Sequence, residues 1–348
     1  MTRTVEIIGA GLSGMTAGIN LAREGYQVTI LDAQKQIGGS PAMHPSVHTT
    51  PAQLPELIEY IGIDVSDHFV RCDPYPVFHY NTKILKFPDY VVHNSAYSIE
   101  RGPRESSIDH FLYRLAKEAG VSFSFGERVD VSDLSPGTIV ATGLDPASFK
   151  KLGVASRDLY GVWSWRETDD RSSTALVYMG PFSRDYAYTA LVNGLDYSLN
   201  FSHHNPSEKD MDDYRRVLRA TGVKEYPEPW RRVSMCVPAE PKLFADGLIL
   251  AGTLGGLIEP FWGYGIVGAL VSGRLAATAV TDPERAAREH AEFTRGFFKK
   301  LARRDAFARY PAWKRGLLTR AGLAWARLQC SLNKDLAAKP REPLKWFR

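Results

Sequence analysis

The stretch Val5-Glu-Ile-Ile-Gly-Ala-Gly-Leu-Ser-Gly14 constrains the fold more tightly than any other part of the chain. Four β-favouring residues run straight into glycines at G-x-G-x-x-G spacing. Apolar residues then recur at Leu12, Met15, Ile19 and Ala22 until Gly25 stops the helix. Val28 to Leu31 reads as a second strand that ends on Asp32. In this strand-turn-helix-strand setting Gly9 makes the tight turn, Gly11 lets the backbone approach a pyrophosphate, and Gly14 lets the helix pack on the strand. The N–H groups around Ser13 and the positive end of the helix dipole then face the phosphates. Asp32, with Ala33 beside it, is placed to accept hydrogen bonds from a ribose hydroxyl.

Composition narrows the class. Glu6, the interrupting glycines and the lack of a small-residue cleavage site before Arg23-Glu24 argue against a secretory signal. No stretch approaches the roughly 18 continuous apolar residues of a spanning helix. The expected location is therefore the cytoplasm, with peripheral membrane attachment as a variant of it. Cys72, Cys236 and Cys330 lie far apart, which gives neither a disulfide framework nor a metal-ligand cluster, so no metal site is expected. At 348 residues and 44% hydrophobic content, the chain can bury a core of one or two domains.

The continuation from Asp32 to the doublet Gly38-Gly39 resembles the E-x-x-x-x-x-G-G run of FAD-binding oxidoreductases, with Asp for the usual Glu. Residues 246–280 resemble the terminal FAD motif of the geranylgeranyl reductase family and its relatives, the aromatic hydroxylases. There a Gly-Asp pair precedes Pro-x-x-Gly-x-Gly-Ile and a small-residue helix. Pro260, Gly263, Gly265 and Ile266 match, Ala269, Ser272, Gly273 and Ala276 are small, and Gly252-Thr253 carries Thr in place of Asp. The segment with Arg104, Asp109, Leu112, Ala116 and Gly120 is similar to the family's arginine-plus-helix pattern. Residues 139–153 are similar to its A-D-G-x-x-S-x-x-R segment, with Thr142 for the acid and Gly143 retained. Pro181, Tyr186 and Tyr188 loosely resemble the family's P-x-x-Y-x-W lipid-pocket motif, although alternate aromatic residues also suit ordinary strand packing. The insert from Pro41 to Tyr97 is expected to cover the flavin, and it lacks the cysteine that follows the doublet in many of those reductases.

The resemblance implies a doubly wound, Rossmann-like α/β domain for FAD, formed by residues 1–40, 98–154 and 240–282. It also implies a β-sheet-rich substrate or cap domain from 41–97 and 155–239, with a basic helical region over 283–348. Ala175 to Tyr178 and Tyr197 to Phe201 read as antiparallel strands of the second domain. A helix beginning at Gly265-Ile266 would aim its N–H groups at the N1/O2 edge of the flavin ring. The implied activity is hydride transfer between flavin N5 and a C=C or C–C unit of a small apolar substrate, isoprenoid or lipid. The alternatives are a flavin-dependent hydroxylase and a non-redox FAD-binding module. No second G-x-G-x-x-G serves NAD(P)H, so the reductant is either NAD(P)H bound transiently or a redox protein. Five side chains are candidate proton handlers: Glu259, whose place before Pro260 suggests a half-buried carboxyl with a raised pKa, then His44 and His48 past the doublet, then Tyr186 and Tyr188.

Charge is lopsided. Residues 295–348 hold fifteen Lys/Arg against three Asp/Glu, a net of +12 in a chain whose total is +4, so the remainder carries −8. Pro311 separates two helical stretches, and in the second Trp313, Leu317, Ala321, Ala324, Leu328 and Leu332 follow one face, with Arg320 and Arg327 flanking it and Lys314 interrupting its other side. The expected partner of 295–348 is an anionic membrane surface, and no specific nucleic acid is expected.

Overall fold

The computed structural model describes residues 3–40, 43–73, 76–85 and 96–332. The insert is thus described in part, and the end of the basic region, 333–348, lies outside the described residues. Strand β1 (Thr4–Ile8) leaves Thr4 and Glu6 exposed but buries Val5 and, on both faces at its end, the adjacent Ile7 and Ile8. It pairs in parallel with β2 (Gln27–Asp32) on one side and β9 (Ile139–Val140) on the other. Beyond them lie β8 (Ser122–Phe125), parallel to β2, and β16 (Leu248–Leu250), parallel to β9. An antiparallel edge strand, β15 (Phe244–Ala245), completes the order β15-β16-β9-β1-β2-β8. Helices α1 (Leu12–Arg23), α3 (Ile108–Glu118) and α6 (Ile266–Thr281) share one core with Ile7, Ile30, Ile139 and Ile249 of this sheet. A second core, with Phe149 of α4 (Pro146–Lys151), covers Val140, Leu248 and Leu250. The result is the expected Rossmann-like α/β layer.

The second layer is a seven-stranded sheet ordered β14 (Arg231–Pro238), β10 (Ser156–Glu167), β13 (Leu195–Ser202), β12 (Tyr186–Val192), β11 (Thr174–Met179), β5 (Val77–Tyr80) and β6 (Lys83–Leu85). Every pairing is antiparallel except β11 with β5. All seven residues of β12 are buried. One of its faces meets the core that holds Tyr186 and Tyr188, and the other meets Met211 and Tyr214 of α5 (Glu208–Ala220). A small sheet, β3 (Ser46–Pro51), β7 (Ala96–Arg101) and β4 (Val70–Arg71), lies against β12 and β13. A further helix, α2 (Leu54–Ile61), packs on α6.

The chain then runs through α7 (Pro283–Thr294), α8 (Phe297–Arg309) and α9 (Ala312–Leu332), with Pro311 at the break between the last two, as expected. Arg304 fixes α8 to the seven-stranded sheet. Its guanidinium binds Asp185 through Nε at 2.9 Å and through Nη2, both partners are buried, and Nη1 reaches the carbonyl of Pro260. Replacing Arg304 with Met would leave the buried carboxylate without its cation. The expected loss is about 3–5 kcal/mol of folding stability in urea titrations. Arg157→Ala, which removes the half-exposed partner of Asp305 on the same helix, is expected to cost about 1 kcal/mol or less.

Candidate functional site

The glycines of the first motif divide into those the fold needs and those it leaves open. A Cβ on Gly9 (φ +110°) would lie 2.5 Å from the carbonyl oxygen of Ala141, and one on Gly14 would lie 1.9 Å from that of Gly9. A Cβ on Gly11 would meet nothing within 4 Å. The backbone at Gly11 thus borders open space at the N-terminus of α1, where the first N–H groups have no intrahelical acceptor. Asp32 holds this turn to the end of β2: Oδ2 accepts the Ala10 N–H at 2.6 Å and Oδ1 the Gln34 N–H at 2.7 Å. Each oxygen keeps a further acceptor site, so a ribose hydroxyl can still be bound, but the carboxylate is a latch as well. Ala33 beside it is exposed.

The second motif, some 240 residues later, meets the first directly. Gly252 (φ +70°) is so close that a Cβ there would lie 2.7 Å from Ser13 Oγ, and its N–H donates to Ser272 Oγ at 2.6 Å. A Cβ on Gly273 would lie 2.4 Å from the carbonyl oxygen of Ser13. Helix α6 begins at Ile266 with Gly265 as its N-cap, and Thr253 Oγ1 is the side-chain atom nearest a Cβ there. Gly143 (φ +67°), just past β9, borders open space, and the preceding Thr142 Oγ1 is buried with no hydrogen-bond partner among the described residues. Two open glycine positions, two helix N-termini and an unsatisfied hydroxyl beyond the carboxyl ends of the parallel strands fit a pyrophosphate-linked dinucleotide. Gly38 (φ +109°) brings the chain against Gly102 and Pro103. Arg104 is turned toward the second sheet: Nε faces Glu100 at 3.2 Å, Nη2 donates to the Asn193 carbonyl at 3.0 Å, and Nη1 is buried without a partner among the described residues.

Three of the five candidate proton handlers form one buried chain. The His44 ring packs on Gly39, and its Nδ1 lies 2.8 Å from Ser46 Oγ, which lies 3.0 Å from His48 Nε2. His48 Nδ1 in turn sits 3.5 Å from the hydroxyl of Tyr188, which donates to the Val47 carbonyl at 3.0 Å. Burial, then the nearby Arg101 guanidinium, pushes both imidazoles down to about 3, so both are neutral at physiological pH. Burial raises Tyr188 well above its ordinary value. Arg101 is itself fixed by two hydrogen bonds, at 2.7 and 2.8 Å, to the fully buried Asp109, and these with its charge hold that carboxyl below its usual value although burial opposes them.

Glu259 and Tyr186 stand elsewhere. Glu259 is buried, not half-buried, and its Oε2 accepts the N–H groups of Phe261 and Trp262 at 3.0 and 2.6 Å while Oε1 faces Lys300 at 3.5 Å. The carboxyl group thus shapes the loop 259–264 by accepting two of its N–H groups, and it lies deeper than the half-buried position expected from the sequence. Tyr186 donates to the Trp262 carbonyl at 2.7 Å and anchors the same loop, which carries Pro260 and Gly263. Sequence reading missed Ser46, the link between the two imidazoles. The alternation His44-x-Ser46-x-His48 was its signal, because residues two apart share one face of extended chain.

Two outcomes follow for variants. Gly11→Val is expected to fold, at a cost of about 1 kcal/mol for a poor N-cap, but not to bind FAD in a fluorescence titration. Gly14→Ala is expected to lose about 3 kcal/mol or more of stability because its methyl has no room. For pH, the unfolded chain protonates His44 and His48 near 6.5 while the folded chain does not until about 3. Their contribution is complete above pH 6.5 and declines as pH falls toward 3. Urea midpoints measured from pH 7 to 4 should drop for the wild type and drop less for H44N/H48Q, whose amides can replace the ring hydrogen bonds without taking up a proton.

Comparison with known proteins places this geometry. Residues 7–53 match the family model "NAD(P)-binding Rossmann-like domain". The chain is 33% identical over 78 residues to 4,4'-diaponeurosporene oxygenase of Staphylococcus aureus, an alignment that spans 20% of this chain and 16% of the relative, about a sixth of its length. A geranylgeranyl bacteriochlorophyll reductase-like protein from Thermoplasma acidophilum superposes with a TM-score of 0.68 at 16% identity, covering 91% of each chain. The flavin-dependent brominase Bmp2 superposes with a TM-score of 0.60 at 15% identity, over 94% of this chain and 93% of its own. Residues 7–53 thus match a Rossmann-like domain model, and the chain as a whole adopts the fold that these reductase-like and flavin-dependent proteins share.

Proposed function

We propose that the protein is an FAD-dependent oxidoreductase that passes hydride between flavin N5 and a C=C or C–C unit of an apolar substrate, isoprenoid or lipid in class. The observation that carries this reading is the meeting of the two glycine motifs, with Gly252 and Gly273 in contact with Ser13 and open space before Gly11 and Gly143. When bound, FAD supplies the hydride acceptor or donor. The first turn of α1 holds the pyrophosphate, Asp32 takes a ribose hydroxyl, and Thr142 and Thr253 supply hydroxyls where relatives of this pattern carry acids. The N–H groups at the N-terminus of α6 would stabilise negative charge gathering on the bound flavin. His44, Ser46, His48 and Tyr188 hold the proton side of the reaction. Each neutral imidazole carries one N–H and one lone pair, so a proton taken up at one ring could be matched by one released at the other through the Ser46 hydroxyl. NAD(P)H bound transiently, or a redox protein, supplies the electrons. A flavin-dependent hydroxylase is the second reading, favoured by the name of the S. aureus relative.

The purified chain is expected to be yellow, with one FAD per chain by absorbance and mass spectrometry. A colourless protein that takes up no added FAD would overturn the proposal. Reoxidation of the reduced protein by a geranylgeranyl lipid without oxygen supports hydride chemistry, while a transient absorbance band on mixing with oxygen supports the hydroxylase. Ser46→Ala is expected to slow lipid-dependent reoxidation by about 100-fold, with FAD content unchanged.

A further inference from the structure

Helix α9 is seated on the protein by one side. Arg315, 7% exposed, donates to the carbonyls of Ser183 and Arg184 at 3.1 and 2.8 Å, Gly316 abuts the Tyr80 ring, and Leu323 packs into the core of the seven-stranded sheet. At 100° per residue the opposite side carries Trp313, Leu317, Leu318, Trp325, Leu328 and Leu332, which are 71, 60, 41, 62, 48 and 73% exposed. The face predicted to be apolar is thus the one turned to solvent, and two large residues join it. Along a 21-residue helix it forms a strip about 30 Å long, with Arg320 and Arg327 along one border and Lys314 within it.

We infer that this face docks on an anionic lipid surface, with α9 lying in the headgroup layer. Charge decides the occupant. Residues 295–348 carry a net +12 while the rest of the chain carries −8, so attraction to an anionic surface is confined to the region that bears the strip. A second copy docking on the same face would instead bring two +12 segments together. Trp and Leu beside Arg and Lys suit the boundary between headgroups and acyl chains. Among the described residues no helix is long and apolar enough to cross a membrane, so α9 lies on the surface. This inference is independent of the flavin reading, because FAD content is measured in solution.

The test is co-sedimentation of the full chain with phosphatidylcholine vesicles and with vesicles containing about 30% phosphatidylglycerol, at low and high salt. Binding is expected only to the anionic vesicles, weakened by salt, with a blue shift of tryptophan emission. Leu317→Glu with Trp325→Glu, both at exposed positions, is expected to weaken binding at least about tenfold with an unchanged melting temperature. The inference is overturned if the wild type stays in the supernatant with both vesicles or the double variant binds like the wild type. It is also overturned if sedimentation velocity shows a dimer that the double variant abolishes, or if a chain ending at Leu332 binds while the full chain does not, because 333–348 then covers the strip.

Discussion

The fit of α1 against α6 is the contact on which the rest of the site depends. Gly273 of α6 meets the Ser13 carbonyl of α1 with no room for a methyl group, and two further close approaches flank this one: Gly14 on the Gly9 turn before α1, and Gly252, in the loop after β16, on the Ser13 hydroxyl. Two helices from opposite ends of the chain can approach so closely only where side chains are missing. That approach sets the N-termini of both helices beyond the carboxyl ends of the parallel strands, so dipoles and unpaired N–H groups converge on one space. A single methyl in this seam would move α6, and with it the loop of Thr253 and Gly265.

Around that seam, polar groups are buried with specific partners. Arg101 and Asp109 neutralise each other behind the glycine doublet, and the cation makes any further positive charge nearby costly. His44 and His48 therefore remain neutral, each able to donate and accept, with Ser46 between them. A protonated imidazole there would face both loss of water and Arg101, so the burial that keeps the rings neutral also makes the fold sensitive to acid.

The second sheet meets the nucleotide layer through the loop 259–264. Glu259 accepts the N–H groups of Phe261 and Trp262, Tyr186 donates to the carbonyl of Trp262, and Arg304 donates to the carbonyl of Pro260 while bound to Asp185, the residue before β12. The loop is thus held by its own carboxylate, by a phenol from β12 and by a guanidinium from α8. The glutamate beside Pro260, a candidate proton handler in the sequence, braces this loop in the structure.

Local rules were enough for the first motif. β1, α1 and β2 lie where periodicity, the glycine spacing and Asp32 place them, and the helix at Ile266 begins where its small residues and Gly265 suggest, because backbone geometry and helix ends are governed by near neighbours. Charge along the chain likewise marked the basic end and the apolar stripe of α9. Which of five acid-base candidates act together could not be read in one dimension. His44, Ser46 and His48 are joined by two hydrogen bonds within a few residues, yet the imidazoles are neutral because of burial first and Arg101 second, and their chain ends on Tyr188, some 140 residues away. Whether the stripe of α9 faces core or solvent was also undecided, since periodicity marks a face but not its direction. Arg315 and Gly316 settled it by fitting the other side of the helix to Ser183 and Tyr80. Burial and long-range partners set protonation and exposure, and those are properties of the assembled fold.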